Sequence, residues 1–181
     1  MIQIDKLLKI DLSDLSTYIL NSEHKDYFLR DPGMEHYKLL GYFSNLSSNE
    51  TFLDIGTNRG LSALALSINP TNKIFSFDLE NYRQISYVPE NVEFILDWIT
   101  MPKYKQIVLD SSFIFLDTLH DGVFEHQFYH YLRSIGWKGI LMLDDIKLNI
   151  PMKEFWNAIE ERKIDVSEFG HITGTGLVIF E

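Results

Sequence analysis

The 181-residue sequence contains no cysteine, which excludes disulfide bonds and every metal site built on thiolates. It is also poor in positive charge, with 16 basic and 26 acidic residues and a net charge of −10. A broad nucleic-acid footprint needs clustered basic side chains, so this charge argues against one. No apolar run approaches the roughly 20 residues of a membrane span, and residues 1–14 contain no signal-peptide core. We therefore expect a cytoplasmic protein that binds neither nucleic acid nor membrane.

What the sequence does contain is apolar surface, since 45% of its residues are hydrophobic and 14% are aromatic. A chain of this length can bury one core of ordinary size, so we predict a single domain over residues 1–181. Residues 1–50 have helical patterns and should form an N-terminal helical cap. From residue 51 onward short apolar runs alternate with helical segments, which predicts an α/β, Rossmann-like core over residues 51–181.

Seven strands are predicted in this core. They are TFLDI (51–55), KIFSFDL (73–79), NVEFILD (91–97), SFIFLD (112–117), GILMLDD (139–145), VSEF (166–169) and GLVIFE (176–181). The first five alternate with helices, which predicts a mostly parallel sheet with helices on both faces. The last connection is too short for a helix, so the last strand should be antiparallel. Ligands bind such sheets beyond the carboxyl ends of the strands.

Each of the first five strands ends in aspartate. The residues are Asp54, Asp78, Asp97, Asp117 and the pair Asp144 and Asp145. Aspartate is a common cap and turn residue at solvated strand ends, and that explanation covers one or two of these positions. It does not cover the whole series well, so we expect a functional site along this edge of the sheet.

The segment DIGTNRG, residues 54–60, connects the first strand to the first core helix. The dinucleotide-binding fingerprint would need glycine at the positions of Asn58 and Leu61, so the spacing here is looser. Glycine lets the backbone approach a ligand without an intervening Cβ, and the next helix offers free amide groups. Such a turn suits a nucleoside with an amino-acid tail. An ordinary tight turn is the alternative explanation for Gly56 and Gly60.

Here the sequence resembles the class I S-adenosylmethionine-dependent methyltransferases. DIGTNRG is similar to their first motif and FDLE, residues 77–80, to their second. The resemblance covers residues 51–181 and implies a Rossmann-like methyltransferase fold that binds S-adenosylmethionine. It also implies the binding residues, with Asp54, Gly56 and Gly60 at the methionine end, Asp78 at the ribose hydroxyls, and Asp97 with Trp98 beside the adenine. A place in the core is the alternative for Trp98.

The remaining carboxylates indicate a divalent cation. Strands four and five should be neighbours, so Asp117 should meet Asp144 and Asp145, and three such carboxylates cannot all stay ionised unaided. Oxygen ligands favour Mg²⁺, Mn²⁺ or Ca²⁺. The pattern resembles the metal-dependent O-methyltransferases related to catechol O-methyltransferase and to sugar-directed enzymes. In that branch one ligand ends strand four and two end strand five, which implies that these three aspartates hold Mg²⁺ or Mn²⁺.

The general base of that branch lies three residues after the first ligand, where this chain has His120. A histidine pKa of about 6.5 suits proton abstraction at neutral pH, so His120 is the predicted catalytic residue. A surface loop histidine and a fourth metal ligand are the alternatives. His126 and His130 imitate a metal pair, but one helix face is the simpler interpretation. His171 is treated as a substrate contact only.

The predicted function is methyl transfer from S-adenosylmethionine to a vicinal hydroxyl of a small molecule. Asp145 stands where the catechol enzyme has an amide, which favours a sugar or glycan acceptor over a catechol or phenol. The N-terminal cap supports this with polar and aromatic residues, namely Tyr27, Arg30, Glu35, His36 and Tyr37. A non-catalytic module that only binds S-adenosylmethionine is an alternative from another class. The methylated position and the oligomeric state are left open.

Overall fold

The structure is a computed structural model that describes residues 2–181. Across these residues, seven strands form one sheet in the order β3-β2-β1-β4-β5-β7-β6. They are β1 (Thr51–Ile55), β2 (Lys73–Asp78), β3 (Val92–Leu96), β4 (Ser111–Leu116), β5 (Gly139–Asp144), β6 (Arg162–Asp165) and β7 (Thr175–Phe180). The first five strands are parallel, and β7 runs antiparallel to both of its neighbours. The predicted mostly parallel sheet with an antiparallel last strand is confirmed.

Eight α-helices accompany the sheet within the described residues. They are α1 (Ile4–Leu7), α2 (Ser13–Ser16), α3 (Ser22–Phe28), α4 (Tyr37–Ser44), α5 (Leu61–Leu66), α6 (Lys105–Asp110), α7 (Val123–Ile135) and α8 (Ile150–Ala158). Successive strand residues point to opposite faces of a sheet. Phe52 accordingly packs with α4 and α5, whereas Leu53 packs with α7 and α8. Helices therefore cover both faces. In residues 2–181, the helices are too short or too polar to span a bilayer.

The N-terminal segment is helical, as expected, and contributes to the core on one face of the sheet. Leu7, Phe28 and Leu39 are fully buried in the same apolar cluster as Phe52. The segment also contacts the chain beyond β2, because the amide of Ser86 donates to the carbonyl oxygen of Tyr18 at 2.7 Å. These contacts hold the residues before α4 close to the carboxyl edge of the sheet.

The predicted position of the sixth strand, 166–169, is wrong, because β6 precedes that segment. Residues 166–169 form a turn in which the amide of Phe169 donates to the carbonyl oxygen of Val166 at 2.8 Å. The amide of Val166 itself donates to the carbonyl oxygen of Thr175 at 2.9 Å, where the chain enters β7. The apolar side chains of this segment belong to a turn, and α8 ends at Ala158, before β6 begins at Arg162.

Candidate functional site

The carboxyl edge of the sheet has two regions that meet at Asp117 and His120. The first, called here the open cleft, has a volume of 620 Å³ and runs across the ends of β1, β2 and β3. It is lined by residues that include Gly56, Asp78, Glu80, Asp97, Trp98, Asp117, His120 and Phe124. The second, called here the acidic cluster, consists of Glu35, His36, Asp117, His120, Asp144, Asp145 and His171.

Two glycines shape the turn after β1, and their neighbours differ. Gly56 has φ +98°, and a Cβ there would lie 1.6 Å from the carbonyl oxygen of Asp117. The main chain after β4, rather than a ligand alone, therefore excludes a side chain at this position. Gly60 has φ +86° and begins α5, and a Cβ there would meet Ile85 and Phe94 at ordinary contact distance. Gly56 lines the open cleft, whereas Gly60 sets the conformation of the turn.

Asp54 lies fully buried beneath this turn. Its Oδ2 accepts a hydrogen bond from the Ser76 hydroxyl at 2.6 Å, while its Oδ1 has no partner among residues 2–181. Burial raises the pKa of Asp54 to about 6, against the opposing hydrogen bonds from Ser76 and Ser62. The charge of Asp117 adds to the increase. A second pocket of 40 Å³ lies beside the turn and is lined in part by residues 56–59 and Ser62.

Asp78, at the end of β2, joins that strand to the glycine turn. Its Oδ2 accepts from the amide of Asn58 at 2.7 Å, and its Oδ1 accepts from the amide of Leu79 at 2.7 Å. Two main-chain donors thus orient the carboxylate at the wall of the cleft, beside Glu80 and Tyr82. These side chains make the β2 side of the cleft the polar side.

Asp97 and Trp98 lie together at the far wall of the cleft, after β3. Asp97 accepts from the amide of Trp98 at 2.8 Å and from the Tyr104 hydroxyl at 3.0 Å, and the Lys103 ammonium lies 2.5 Å away. The Lys103 hydrogen bond lowers the pKa of Asp97. Trp98 is 49% exposed and its ring lies 5.8 Å from that of Phe124. The alternative of a core tryptophan is therefore wrong, and Trp98 forms an apolar wall.

The acidic cluster contains the three predicted metal ligands. β4 and β5 are paired neighbours, and Asp144 at the end of β5 offers a ligand atom within 4.8 Å of Asp117 on one side and of Asp145 on the other. His120 joins them, with its Nε2 at 3.2 Å from Asp117 Oδ1 and 3.5 Å from Asp145 Oδ2. The predicted convergence of strand ends is therefore present in the structure.

Two further histidines complete the acidic cluster. His36 Nδ1 lies 3.3 Å from Asp144 Oδ2, and His171 Nδ1 lies 3.2 Å from Asp144 Oδ2 and 3.2 Å from Asp145 Oδ1. Glu35 faces the opposite side of the His171 ring, 3.8 Å from Nε2. From the sequence alone, Glu35, His36 and His171 are predicted only as contacts to the acceptor. No local spacing links them to the aspartates, because the chain segments meet only in the folded protein.

Mutual pairing decides the charges in this cluster. Burial alone would raise the pKa of Asp144, but His36 and His171 outweigh it and hold this pKa well below its usual range. Burial raises the pKa of Asp117, the nearby imidazole of His120 opposes this increase, and the charge of Asp144 adds to it. Burial would lower the pKa of His171, but hydrogen bonds to Asp144 and Asp145 raise it to about 10.

The loop after β4 holds His120 in a fixed place. Glu125, a buried carboxylate in the first turn of α7, accepts from the Thr118 hydroxyl at 2.7 Å and from the amide of His120 at 3.0 Å. The side-chain amide of Asn149 donates to the carbonyl oxygen of His120 at 2.7 Å. His120 and Asp145 both have positive φ, +56° and +59°. Backbone strain of this kind clusters at functional sites, and sequence patterns gave no signal for Glu125.

The residues of the acidic cluster fit a divalent cation. His120, Asp144 and Asp145 offer ligand atoms within 4.8 Å of one another, and so do His36, Asp117 and Asp144. Asp144 Oδ1 and His120 Nε2 are buried, and neither has a hydrogen-bond partner in the described part of the chain. Buried polar atoms are normally paired, so these two atoms point to a group that they could bind.

Neither protein-family models nor curated proteins match the sequence, but solved structures match the fold. The methyltransferase PaMTH1 from Podospora anserina, with bound S-adenosylhomocysteine, has a TM-score of 0.64 at 14% identity, covering 98% of this chain and 88% of that one. The O-methyltransferase TomG from Streptomyces achromogenes is involved in tomaymycin synthesis and was solved with S-adenosylmethionine. It has a TM-score of 0.62 at 16% identity, and the match covers 98% of this chain and 94% of that one. Aeropyrum pernix fibrillarin with bound S-adenosylmethionine has a TM-score of 0.52 at 13% identity, and the match covers 74% of this chain and 68% of that one.

This is the class I S-adenosylmethionine-dependent methyltransferase fold. The fold predicted from the sequence is therefore confirmed, and the structure adds the strand order, with β7 between β5 and β6. The open cleft and the acidic cluster both lie at the carboxyl ends of its parallel strands, where open α/β sheets bind ligands.

Proposed function

We propose that the protein is an S-adenosylmethionine-dependent, divalent-metal-dependent O-methyltransferase that acts on a vicinal hydroxyl, with a sugar or glycan as the favoured acceptor. The observation that carries this proposal is the junction of the two regions at Asp117 and His120. Both residues line the open cleft, and both belong to the acidic cluster. A methyl donor in the cleft and an acceptor hydroxyl at the cluster would therefore be neighbours.

The chemistry of the open cleft supports S-adenosylmethionine as the donor. Its volume of 620 Å³ lies within the range of about 300–1,000 Å³ that is typical of small-molecule sites. Asp78 offers a carboxylate to ribose hydroxyls, and the half-exposed ring of Trp98 with Phe124 offers an apolar wall to a base. The surrounding carboxylates favour a cationic ligand such as a sulfonium.

The acidic cluster supports activation of a hydroxyl. Asp117, Asp144 and Asp145 would hold Mg²⁺ or Mn²⁺, the ions that carboxylate oxygens favour. Such a cation, when bound, makes a chelated hydroxyl more acidic. His36 and His171 both contact Asp144 Oδ2, at 3.3 and 3.2 Å, so the orientation of the other oxygen, Oδ1, is fixed as well. The role of His120 as general base remains a prediction.

Residues of the N-terminal cap support a sugar as the acceptor. Glu35 and His36 contact the acidic cluster directly. Behind them, the guanidinium of Arg30 lies 3.5 Å from Glu35 and stacks 4.1 Å from the centre of the Tyr27 ring. Polar groups mixed with aromatic faces suit a carbohydrate, whereas a flat catechol would favour an apolar slot. A small-molecule or glycan acceptor in the cytoplasm agrees with the acidic charge of the chain.

The test combines calorimetry with product analysis. We expect S-adenosylmethionine to bind, and mass spectrometry to detect one added methyl group on sugars that carry vicinal hydroxyls. EDTA should abolish this product, and Mg²⁺ or Mn²⁺ should restore it. Donor binding without product from sugars, catechols or phenols would favour a non-catalytic binding module. Unchanged turnover after chelation would remove the cation from the proposal.

A further inference from the structure

At the end of β5, neighbouring side chains contact one oxygen of each carboxylate, Asp144 and Asp145, and leave the other oxygen available to a ligand. His36 and His171 both contact Asp144 Oδ2, at 3.3 and 3.2 Å, and leave Oδ1 buried and unpartnered within residues 2–181. Thr173 and His171 both contact Asp145 Oδ1 and leave Oδ2. The remaining oxygen of Asp145, Oδ2, lies 3.5 Å from His120 Nε2.

The imidazole of His120 lies near two carboxylates but forms a hydrogen bond with neither. Its Nε2 lies 3.2 Å from Asp117 Oδ1 and 3.5 Å from Asp145 Oδ2, but it forms no hydrogen bond with any described residue. A charge-assisted hydrogen bond would bring a nitrogen and a carboxylate oxygen to about 2.7–2.9 Å. Adjacent donor atoms on one octahedral ion, with bonds of about 2.1 Å, lie about 3 Å apart. Because His120 Nε2 is buried and has no hydrogen-bond partner among residues 2–181, we assign its distances of 3.2 and 3.5 Å to the second arrangement.

The backbone around His120 keeps the imidazole in this position. Glu125 holds its amide and Asn149 holds its carbonyl oxygen, so the loop is attached to α7 on one side and to the start of α8 on the other. Such support by neighbouring groups is typical of metal ligands, whose orientation is set by contacts outside the coordination shell.

We infer that His120 is a metal ligand together with Asp144 and Asp145, whose ligand atoms lie within 4.8 Å of one another, and that this set selects Mn²⁺ or Co²⁺ over Mg²⁺. The inference rests on the proposed function, since it concerns the same cation. Imidazole nitrogen favours borderline transition ions, whereas an all-oxygen set suits Mg²⁺. A nitrogen lone pair that binds a metal cannot accept a proton, so His120 is then not the general base through Nε2.

The test measures metal binding without catalysis. Calorimetry of the metal-free protein should give Mn²⁺ and Co²⁺ affinities at least about tenfold tighter than that of Mg²⁺. Pulsed electron paramagnetic resonance of the Mn²⁺ complex should detect a ¹⁴N coupling. His120→Asn should lose this coupling and at least about tenfold in Co²⁺ affinity, since even contacts outside the coordination shell contribute that much. Asparagine tolerates the positive φ of this position, which protects the fold.

His130→Ala is the matched control, because His130 is exposed on α7, and it should keep the ¹⁴N coupling. His171→Ala should also keep it. Equal affinities for Mg²⁺ and Mn²⁺, a wild-type complex without nitrogen coupling, or a coupling lost only in His171→Ala would overturn the inference. These outcomes leave the methyltransferase proposal intact. If none of the three ions binds while S-adenosylmethionine still does, the metal is excluded both from this inference and from the proposed function.

Discussion

The open cleft and the acidic cluster lie side by side, yet they are built in opposite ways. The cleft carboxylate Asp78 is satisfied by neighbouring main-chain amides, and Asp97 by one such amide together with Tyr104 and Lys103. The cluster carboxylates Asp144 and Asp145 instead face one another and are paired with imidazoles. Polar groups that are already satisfied can form a rigid wall for a ligand. Groups that crowd together need a cation, from histidine or from a metal, to be stable in the folded protein.

The two regions are joined by the turn after β1. Gly56 packs against the carbonyl oxygen of Asp117, and the charge of the same aspartate raises the pKa of buried Asp54. Substitutions at this junction should therefore affect both regions, whereas substitutions further out should affect only one. The following four predictions test that difference, from the largest effect to the smallest.

Gly56→Ala should disrupt the junction itself. The new Cβ would lie 1.6 Å from the carbonyl oxygen of Asp117, so β1 and β4 must move apart. We expect a loss of about 4 kcal/mol or more in the free energy of unfolding, measured with urea. Gly136→Ala is the control, because φ there is also positive, +70°, but no described atom lies within 4 Å of a Cβ. Its cost should be about 1 kcal/mol. Similar losses of unfolding free energy in the two variants would show that the close approach of Gly56 to Asp117 does not limit stability.

Asp54→Asn should change the pH dependence of stability. The folded protein raises the pKa of Asp54 from 3.8 to about 6, so folding favours the protonated acid. Its contribution is complete below pH 3.8 and is lost as pH rises through 6. Between pH 4 and 7 the wild type should lose up to about 3 kcal/mol relative to the variant, measured by urea unfolding without donor. Parallel curves for the two proteins would show that Asp54 titrates normally.

Asp78→Ala and Asp144→Asn should have crossed effects. Asp78→Ala removes a carboxylate from the cleft and should weaken S-adenosylmethionine binding about 10- to 30-fold, as loss of charged hydrogen bonds predicts. Asp144→Asn keeps the shape of the side chain but removes its charge from the cluster, so donor affinity should change little. Turnover should fall about 100-fold, the usual cost of losing one electrostatic group. If Asp144→Asn weakens donor binding as much as Asp78→Ala does, the two regions are not separate.

Trp98→Ala should produce the smallest effect, confined to the cleft. Because this side chain is half exposed, stability should change by less than about 0.5 kcal/mol. Loss of an aromatic wall should weaken donor binding about three- to tenfold. Trp137→Ala is the opposite control, since Trp137 is buried and donates to the carbonyl oxygen of Ser111 at 2.9 Å. It should cost about 3–5 kcal/mol in stability. Unchanged donor affinity in Trp98→Ala would remove Trp98 from the site.

The open cleft was largely predictable because its parts follow one another in the chain. Gly56, Asp78 and Asp97 stand at the ends of three successive apolar runs, and the carboxyl ends of parallel strands share one edge. The acidic cluster was predictable only in part. Asp117 and Asp144 end neighbouring strands, but His36 and His171 reach the cluster from the N-terminal segment and the terminal hairpin. Glu125 and the shifted position of β6 also depend on packing that no local pattern records.

By itself the sequence determined the succession of strands and helices along the chain, the two apolar faces of the sheet and the row of aspartates along its carboxyl edge. These follow from hydrophobic periodicity, which acts over a few residues. The tertiary structure alone decided which oxygens of Asp144 and Asp145 are held by histidine, and that Gly56 must leave room for the carbonyl group of Asp117. Those contacts join residues far apart in the chain, and their geometry exists only when all the surrounding elements have packed.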